Sequence, residues 1–246
     1  MSEPVRIAMW SGPRNLSTTM MRSFGARPEA VCVDEPFYAA WLSASGEVHP
    51  MQAEILASQS ADPAVVAQQM LAPLPPGKTL FYQKHMTHHM LESFPLDWAN
   101  NEAGEVRHAF LVRHPGRVIA SYMKKMERLS LDAIGVPQQE RLYREIADRT
   151  GRPPPVVDSD AILADPPGVL ARLCEALGIA WDPAMLHWAP GQKPEDGAWA
   201  PHWYDAVWKS SGFGAPPGPR PALTGEAAAI EKEALASYER LLRHHV

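Results

Sequence analysis

The segment from Ser11 to Thr19 combines residue types that bind a small anion. It follows an apolar run, Val5–Trp10, that is typical of a buried strand, and it opens a stretch in which apolar residues have helical spacing. The first N–H groups of a helix have no partner within the helix, and the helix dipole is positive there, so this position stabilises an anion. Arg14 adds a planar set of charged donors, and three hydroxyl groups follow it. The sequence therefore predicts a loop that grips a phosphate- or sulfate-bearing nucleotide.

The same loop lacks the sequence of ordinary ATP-binding loops. Gly-Lys-Ser/Thr, which cradles ATP phosphates and positions Mg²⁺, does not occur in it. A kinase or other phosphotransferase that uses ATP is therefore kept only as an alternative, which a Mg²⁺ requirement would favour. A plainer interpretation is a helix capped by its own Ser or Asn, because both are ordinary N-cap residues.

Ionisable side chains also follow three other predicted strands, at the points where those strands end. They occur as three adjacent pairs: Asp34-Glu35, Lys84-His85 and Arg113-His114. The carboxyl ends of parallel strands meet at one edge of a sheet, and ligands of such sheets bind at that edge. We therefore expect a functional site at the edge where the loop and these pairs gather.

Apolar runs alternate with helical patterns along the chain. Five runs are predicted to be strands: Val5–Trp10, Ala30–Val33, Thr79–Gln83, Ala109–Val112 and Val156–Val157. Helices are predicted at Leu16–Phe24, from Pro115 through Met126, at Pro166–Leu177 with Gly178 as its cap, and at Ala227–Leu242. This alternation predicts an α/β fold of three layers, in which helices cover both faces of a central, mostly parallel sheet.

The loop resembles a known phosphosulfate-binding sequence. Pro13-Arg14-Asn15-Leu16-Ser17-Thr18 is similar to the Pro-Arg-Ser-Gly-Thr-Thr loop of the sulfotransferases that use 3′-phosphoadenosine 5′-phosphosulfate (PAPS), which have a P-loop-type fold. A bacterial branch of sulfotransferase-like proteins has loops much like it. The resemblance implies that the 5′-phosphosulfate is held by the following residues: Arg14, Asn15, Leu16, Ser17, Thr18 and Thr19. Asn15 and Leu16 stand where the family has Ser and Gly, so a protein that binds PAPS or its product PAP (adenosine 3′,5′-bisphosphate) without catalysis is a further alternative.

Two further segments extend the resemblance. Phe110–Tyr122 is similar to the family's 3′-phosphate motif, in which a strand is followed by Arg, any residue and Pro, and then by Ser on the next helix. Arg113 and Ser121 match the two residues that hold the 3′-phosphate. Asp158–Trp188 resembles a family stretch that packs the core. We expect residues 1–246 to form a single sulfotransferase-like domain, with 188–222, rich in aromatic residues and Pro, as a lid or acceptor-side segment.

The resemblance implies that PAPS is the co-substrate and that its sulfuryl group moves to a hydroxyl or an amine of a small-molecule acceptor by in-line displacement. Such a reaction needs a base and positive groups at the leaving side, and no metal is expected. Glu35 resembles in position the catalytic Glu of tyrosylprotein and several bacterial sulfotransferases. His85 resembles the His base of the cytosolic enzymes, with Lys84 beside it to steady the transferring group. Both bases stay open at this point. A metal held by His85 and His89 on one helix face is a weaker hypothesis.

Composition and charge disfavour several classes of partner. The formal net charge of −5 disfavours nucleic acid, because binding to phosphate backbones needs an excess of Lys and Arg. Cys32 and Cys174 are too few for a disulfide framework or a zinc site, and both are expected to be buried free thiols. No signal sequence and no apolar run long enough to span a bilayer is seen, so we expect a cytoplasmic protein without a membrane partner.

Overall fold

The computed structural model describes residues 4–100, 106–124 and 129–246. Five strands occur in these residues: β1 (Val5–Ser11), β2 (Ala30–Asp34), β3 (Leu80–Met86), β4 (Val106–Val112) and β5 (Val156–Asp158). They form one parallel sheet in the order β2-β3-β1-β4-β5. A central parallel strand is buried on both faces and therefore consists of consecutive apolar residues. This accounts for the apolar run of β1, in which the side chains from Ile7 to Trp10 are fully buried.

Twelve α-helices occur in the described ranges. They are α1 (Ser17–Gly25), α2 (Tyr38–Ser45), α3 (Gln52–Ser58), α4 (Pro63–Met70), α5 (Pro115–Tyr122), α6 (Leu131–Ile134), α7 (Val136–Thr150), α8 (Ser159–Ala164), α9 (Pro166–Ala176), α10 (Ala200–Trp203), α11 (Asp205–Trp208) and α12 (Gly225–Leu242). Short 3₁₀ turns lie at Thr87–His89, Asp97–Asn100 and Pro183–Leu186. None of the described helices has the length and hydropathy needed to cross a bilayer.

The predicted α/β fold with a parallel sheet flanked by helices is confirmed. All five predicted strands are present, but β3 continues to Met86 instead of ending near Gln83, so Lys84 and His85 lie within the strand. Helix α7 was not predicted. The helix that was expected to run from Pro115 through Met126 ends at Tyr122, and Met126 itself lies outside the described residues. Both cysteines are free thiols; Cys174 is buried, as expected, whereas Cys32 is half-buried.

The chain divides into two compact units. The first comprises the described residues of Met1–Met9, Thr18–Arg107 and Asp182–Phe213. It contains the β2–β3 pair, in which Ala30 lies opposite Leu80 and Asp34 lies opposite Lys84. This register brings an acidic strand end beside a basic residue of the neighbouring strand.

The second unit comprises the described residues of Trp10–Ser17, His108–Trp181 and Gly214–Val246. It contains the β4–β5 pair, in which Phe110 lies opposite Val156 and Val112 lies opposite Asp158. The ring of Phe110 packs edge-on against Tyr143 of α7, with 5.1 Å between ring centroids. The carboxyl end of β4 leads directly to Arg113 and the start of α5.

Candidate functional site

The loop between β1 and α1 contains two non-glycine residues in the left-handed backbone region. Arg14 has a φ of 61° and Leu16 has a φ of 72°. An L-residue in this region costs about 1–2 kcal/mol, because its Cβ crowds the neighbouring carbonyl oxygen. Leu16 stands where the resembled family has Gly, so the structure gives a physical reason for Gly at that position. Backbone strain of this kind persists only where the surroundings hold the loop in place.

Buried hydrogen bonds within the second unit hold the loop. Asn15 is 2% exposed, and its Nδ2 donates to the carbonyl oxygen of Leu111 (3.1 Å), to which Gln139 Nε2 also donates (2.9 Å). The carbonyl oxygen of Asn15 accepts a hydrogen bond from Ser159 Oγ (2.8 Å). The side-chain amide of Asn15 is thus engaged in fixing the loop, whereas its Oδ1 has no hydrogen-bond partner among the described residues.

Three arginine residues lie close together in the second unit, and two of them, Arg113 and Arg117, are near the carboxylate of Asp160. Arg14 Nε donates to Ser121 Oγ (3.0 Å), and Arg113 Nη1 donates to the carbonyl oxygen of Arg14 (2.9 Å). Arg117 Nε donates to Asp160 Oδ2 (2.5 Å), whereas Arg113 Nε lies 4.0 Å from Asp160 Oδ1 and makes no hydrogen bond. The structure therefore brings together Arg14, Arg113 and Ser121, three of the predicted nucleotide-binding residues.

The charges of this arginine cluster are not balanced. Burial lowers the pKa of Arg113, and the nearby charges of Arg117 and Arg14 lower it further, whereas Asp160 and Asp158 oppose the decrease. Burial also lowers the pKa of Arg14. Guanidinium groups nevertheless stay protonated in proteins, so the cluster keeps a surplus of positive charge and an unpaired N–H donor. Both would be satisfied by a bound phosphate.

In the first unit, four oxygen atoms surround the ammonium group of Lys84. They are Asp34 Oδ1 at 2.8 Å, Glu35 Oε1 at 2.9 Å, Tyr204 OH at 2.6 Å and Thr18 Oγ1 at 3.1 Å. The Lys84 side chain is 1% exposed, so its charge must be compensated by these neighbours. An ammonium group has three N–H donors for the four oxygens. Thr18, the most distant, is the contact most easily exchanged for an oxygen of a ligand.

Tyr204 links this cluster to the aromatic-rich segment. Its hydroxyl donates to Asp34 Oδ2 (2.6 Å) and accepts from Trp199 Nε1 (3.1 Å), and the backbone N–H of Gly197 also donates to Asp34 Oδ2 (3.2 Å). Burial and the charge of Asp34 raise the pKa of Tyr204 well above its ordinary value, so the phenol keeps its proton. Sequence reasoning missed Tyr204 and Trp199 as site residues; the density of aromatic residues after residue 198 was the available signal.

The two ionisable partners of this cluster have shifted pKa values. Burial disfavours the charge of Lys84, but Asp34 and Glu35 together outweigh it and raise the pKa of Lys84 well above its ordinary value. Burial raises the pKa of Glu35; Asp34 adds to the increase, and Lys84 opposes it. Lys84 therefore stays charged, while the pKa of Glu35 lies closer to neutral pH, where a general base can take up and release a proton.

His85 lies on the other face of β3 from Lys84, because successive side chains of a strand point to opposite faces. Its Nε2 is 3.2 Å from Oε1 of Gln83, two residues earlier on the same face, and its ring packs near Phe37 and Trp98. The structure thus brings Glu35 and Lys84 together, whereas His85 is on the face of β3 opposite Lys84. The metal hypothesis assumed a helix through His85 and His89; this was wrong, since one lies in a strand and the other in a 3₁₀ turn. Within the described ranges, no group of three or more His, Cys, Asp or Glu is arranged to hold a metal ion.

The remaining predicted nucleotide-binding residues lie in the first turn of α1. Ser17 and Thr19 are 8% and 9% exposed, respectively, and Thr18 is half-buried. Of the three, Thr18 contacts the Lys84 cluster.

Comparison with known proteins gives one family. A sulfotransferase domain model matches residues 5–242. Two solved structures are similar over nearly the whole chain. A sulfotransferase from Alicyclobacillus acidocaldarius has a TM-score of 0.54 and 12% identity, covering 100% of this chain and 98% of that one. The sulfotransferase domain of the Synechococcus PCC 7002 olefin synthase has a TM-score of 0.51 and 17% identity, covering 95% of each chain. At these identities the likeness shows the fold.

Curated relatives are longer than this chain. Branched-chain-amino-acid aminotransferase-like protein 2 of Arabidopsis thaliana is 35% identical over 211 residues, which are 85% of this chain and 36% of the relative. Branched-chain-amino-acid aminotransferase-like protein 1 of the same plant is 34% identical over 216 residues, which are 88% and 38%. The chain therefore spans little more than a third of the curated relatives it matches.

The backbone conformation of Leu16 generates a prediction on stability. We expect Leu16→Gly to have a free energy of unfolding about 1 kcal/mol higher than Leu16→Ala, because Gly adopts a positive φ without a Cβ clash. The two variants remove nearly the same side-chain contacts, so their difference isolates the backbone. The same pair at Lys232, which is exposed on α12, should show the opposite order. Urea denaturation gives the free energy of unfolding of all four variants. If Leu16→Ala were more stable than Leu16→Gly, the backbone at position 16 would not be strained.

A second prediction concerns the Tyr204 hydroxyl. We expect Tyr204→Phe to lower the free energy of unfolding by about 2–3 kcal/mol, because it removes a partner of two charged groups. Tyr238→Phe is the matched control, since the Tyr238 hydroxyl donates to Asp158 Oδ2 (2.8 Å) in the second unit. It should lose about 1–2 kcal/mol. Equal losses in chemical denaturation would show that Tyr204 makes no special contribution around Lys84.

Proposed function

Because this chain belongs to the sulfotransferase domain family, we propose that it transfers a sulfuryl group from PAPS to a hydroxyl or an amine of a small-molecule acceptor. This proposal rests chiefly on one observation: Lys84 contacts both Glu35 and Thr18. Glu35 is the candidate base, and Thr18 belongs to the candidate phosphosulfate-binding residues. Sulfuryl transfer requires a base and a positive charge near each other. A buried Lys–Glu pair in contact with that loop supplies both.

Glu35 acts as the general base in this proposal. Its raised pKa suits a carboxylate that must take a proton and release it again. His85 is the rival base, but its position on the opposite face of β3 from Lys84 favours Glu35. Lys84 keeps its positive charge and offers N–H donors to the oxygens of the sulfuryl group, with the Thr18 contact as the one it exchanges.

Donor binding relies on the loop and on the arginine cluster. Arg14, Ser17, Thr18 and Thr19, with the loop backbone shaped by Asn15 and Leu16, bind the 5′-phosphosulfate. Arg113 and Ser121 bind the 3′-phosphate. The surplus of guanidinium charge and the unpaired Arg113 Nε support an anionic ligand in the second unit.

The reaction is an in-line displacement at sulfur. Glu35 takes the proton of the acceptor hydroxyl as the acceptor oxygen forms its bond to sulfur. The bond from sulfur to the bridging phosphate oxygen breaks, and its electron pair leaves on the PAP phosphate. Lys84 stabilises the negative charge that develops on the oxygens of the sulfuryl group during this step.

The nucleotide is tested by calorimetry with PAP and, separately, with ATP and Mg²⁺. We expect Arg113→Ala to weaken PAP binding by roughly 2 kcal/mol or more, about 30-fold in Kd, because a charge-assisted contact is lost. Arg149→Ala is the control, since Arg149 pairs with Glu145 on α7 at a partly exposed position. Unchanged PAP affinity in Arg113→Ala would refute the 3′-phosphate assignment, and tight ATP–Mg²⁺ binding without PAP binding would make the kinase alternative the better one.

The role of Glu35 is tested by turnover. We expect Glu35→Gln to bind PAP normally and to convert PAPS to PAP about 10²–10⁴-fold more slowly, with water or an added alcohol as acceptor. A base must be ionised to act, so wild-type turnover should fall as the pH drops through a pKa above the ordinary value of 4.5. That acidic limb should be absent from the residual activity of Glu35→Gln. Near-normal turnover of this variant would transfer the role of base to His85.

A further inference from the structure

The two carboxylate oxygens of Glu35 have different surroundings. Oε1 accepts a hydrogen bond from Lys84 Nζ at 2.9 Å. Oε2 lies 3.8 Å from Nδ1 of His89, which is too long for a hydrogen bond. The Glu35 side chain is 11% exposed, against 1% for Lys84, so it is the less enclosed side chain of the pair. Oε2 is therefore the oxygen that remains available for a proton from another molecule.

His89 presents an unused polar atom to this oxygen. The residue is 2% exposed, and its Nδ1 has no hydrogen-bond partner among the described residues. The imidazole is stacked on Tyr38, with 4.3 Å between centroids, and on Trp41, with 4.8 Å. Stacking on these two neighbours fixes the plane of the ring, with Nδ1 toward Glu35. His88 Nδ1 is likewise buried and without a hydrogen-bond partner among the described residues, but among them only His89 Nδ1 is seen beside a carboxylate. A buried polar atom without a partner is unfavourable, so a ligand bound beside Glu35 would complete the hydrogen bonding of His89.

We propose that Glu35 Oε2 and His89 Nδ1 together bind the acceptor hydroxyl, and that the acceptor is an uncharged alcohol. One oxygen atom can lie within hydrogen-bond distance of two atoms that are 3.8 Å apart. The hydroxyl donates its proton to Glu35 Oε2 and accepts a hydrogen bond from Nδ1–H of His89. This inference rests on the proposed sulfuryl transfer and specifies where its acceptor binds.

The charges around His89 determine the acceptor class. Burial holds the pKa of His89 well below its ordinary value, and the neighbouring His88, His49, Lys84 and His85 lower it further. Burial and the neighbouring His49 lower the pKa of His88 to about 4. These imidazoles are therefore neutral near pH 7.

Among the described residues, the charged groups near these imidazoles are the ammonium of Lys84, the two carboxylates that contact it, Asp34 and Glu35, and the carboxylate of Glu47, which acts on His49. An anionic acceptor would meet a net negative charge at this position. An acceptor with an ammonium group would pair with Glu35 Oε2 and occupy the base. Only an uncharged hydroxyl compound leaves the base free and meets no repulsion.

His89 orients the nucleophile at the start of the transfer. Its Nδ1–H bond holds the hydroxyl oxygen while Glu35 Oε2 takes the proton. The acceptor oxygen then forms its bond to sulfur, and the bond to the phosphate oxygen breaks with its electron pair leaving on PAP. His89 neither gains nor loses a proton in this step.

Three substitutions test His89. We expect His89→Phe, which keeps a flat stacking ring, to convert PAPS to PAP about tenfold more slowly or worse, the loss expected for one hydrogen bond to the nucleophile. His89→Asn keeps an N–H donor near the position of Nδ1 and should recover part of the rate. His88→Phe is the matched control, because His88 packs edge-on against His89 and Trp41, and it should stay within about threefold of the wild type. Equal rates for His89→Phe and the wild type, or equal losses for His89→Phe and His89→Asn, would overturn the role of His89.

The acceptor class is tested with three matched alcohols. Benzyl alcohol, its para-carboxylate and its para-aminomethyl derivative carry the same hydroxyl with no charge, a negative charge and a positive charge. We expect the uncharged compound to be sulfated about tenfold faster than either of the others, and the preference to shrink in His89→Phe. Equal or faster sulfation of a charged compound would contradict the inference that the acceptor is an uncharged alcohol. Conversion of PAPS to PAP with none of the three compounds sulfated would also contradict it.

PAP binding keeps this inference separate from the proposed function. If wild-type protein does not bind PAP in calorimetry, the sulfotransferase proposal fails and the acceptor inference fails with it. If PAP binds equally well to the wild type and to His89→Phe and PAPS is turned over, the donor site is intact. The turnover rates of the His89 variants and of the three alcohols then test only the acceptor inference.

Discussion

The buried ammonium group of Lys84 is the charge on which the first unit depends. Removing such an ion from water costs several kcal/mol, and only well-placed partners repay that cost. Asp34 and Glu35 supply two carboxylates from the end of β2, and Tyr204 supplies a hydroxyl from a segment 170 positions after Asp34. Any arrangement that separates these segments leaves a charge buried without compensation. The aromatic-rich segment, expected to be a lid or an acceptor-side segment, therefore contributes Tyr204 to the surroundings of Lys84.

The sequence predicted the parts of this arrangement that follow from local pattern. Continuous apolar runs mark the buried parallel strands, and ionisable residues at the ends of those runs mark the functional edge. Glu35 and Lys84 were both selected in this way, and they are in contact because the β2–β3 register places Asp34 opposite Lys84. Arg14, Arg113 and Ser121 were selected from a resemblance, and they lie together in the second unit.

The parts that sequence could not predict depend on tertiary contacts or on strand length. The three additional residues of β3 decide that Lys84 and His85 point to opposite faces, and no punctuating Gly or Pro marks that end. Tyr204 contacts its partners through a single hydroxyl group, and a single contact of this kind produces no periodic pattern in the sequence. Helix α7 is different: Leu142 and Ile146 are buried and four residues apart, so the helical signal was present, although dense charge obscured it. Nothing in the sequence around Gln139 indicated that its side chain anchors the loop.

The backbone of Glu35, the proposed base, is held in place by hydrogen bonds within the protein. Its φ of 41° is unfavourable for a residue with a side chain, yet both of its backbone polar groups are held. Its N–H donates to the carbonyl oxygen of Lys84 (2.9 Å), and its own carbonyl oxygen accepts from Tyr38 N (3.0 Å) and Gln59 Nε2 (3.1 Å). The carboxylate therefore leaves a fixed backbone with one oxygen on Lys84 and the other free. Because the pKa of Lys84 is raised and its ammonium stays charged, the proposed transfer would deliver the acceptor's proton to the other carboxylate oxygen of Glu35 while the positive charge stays in place.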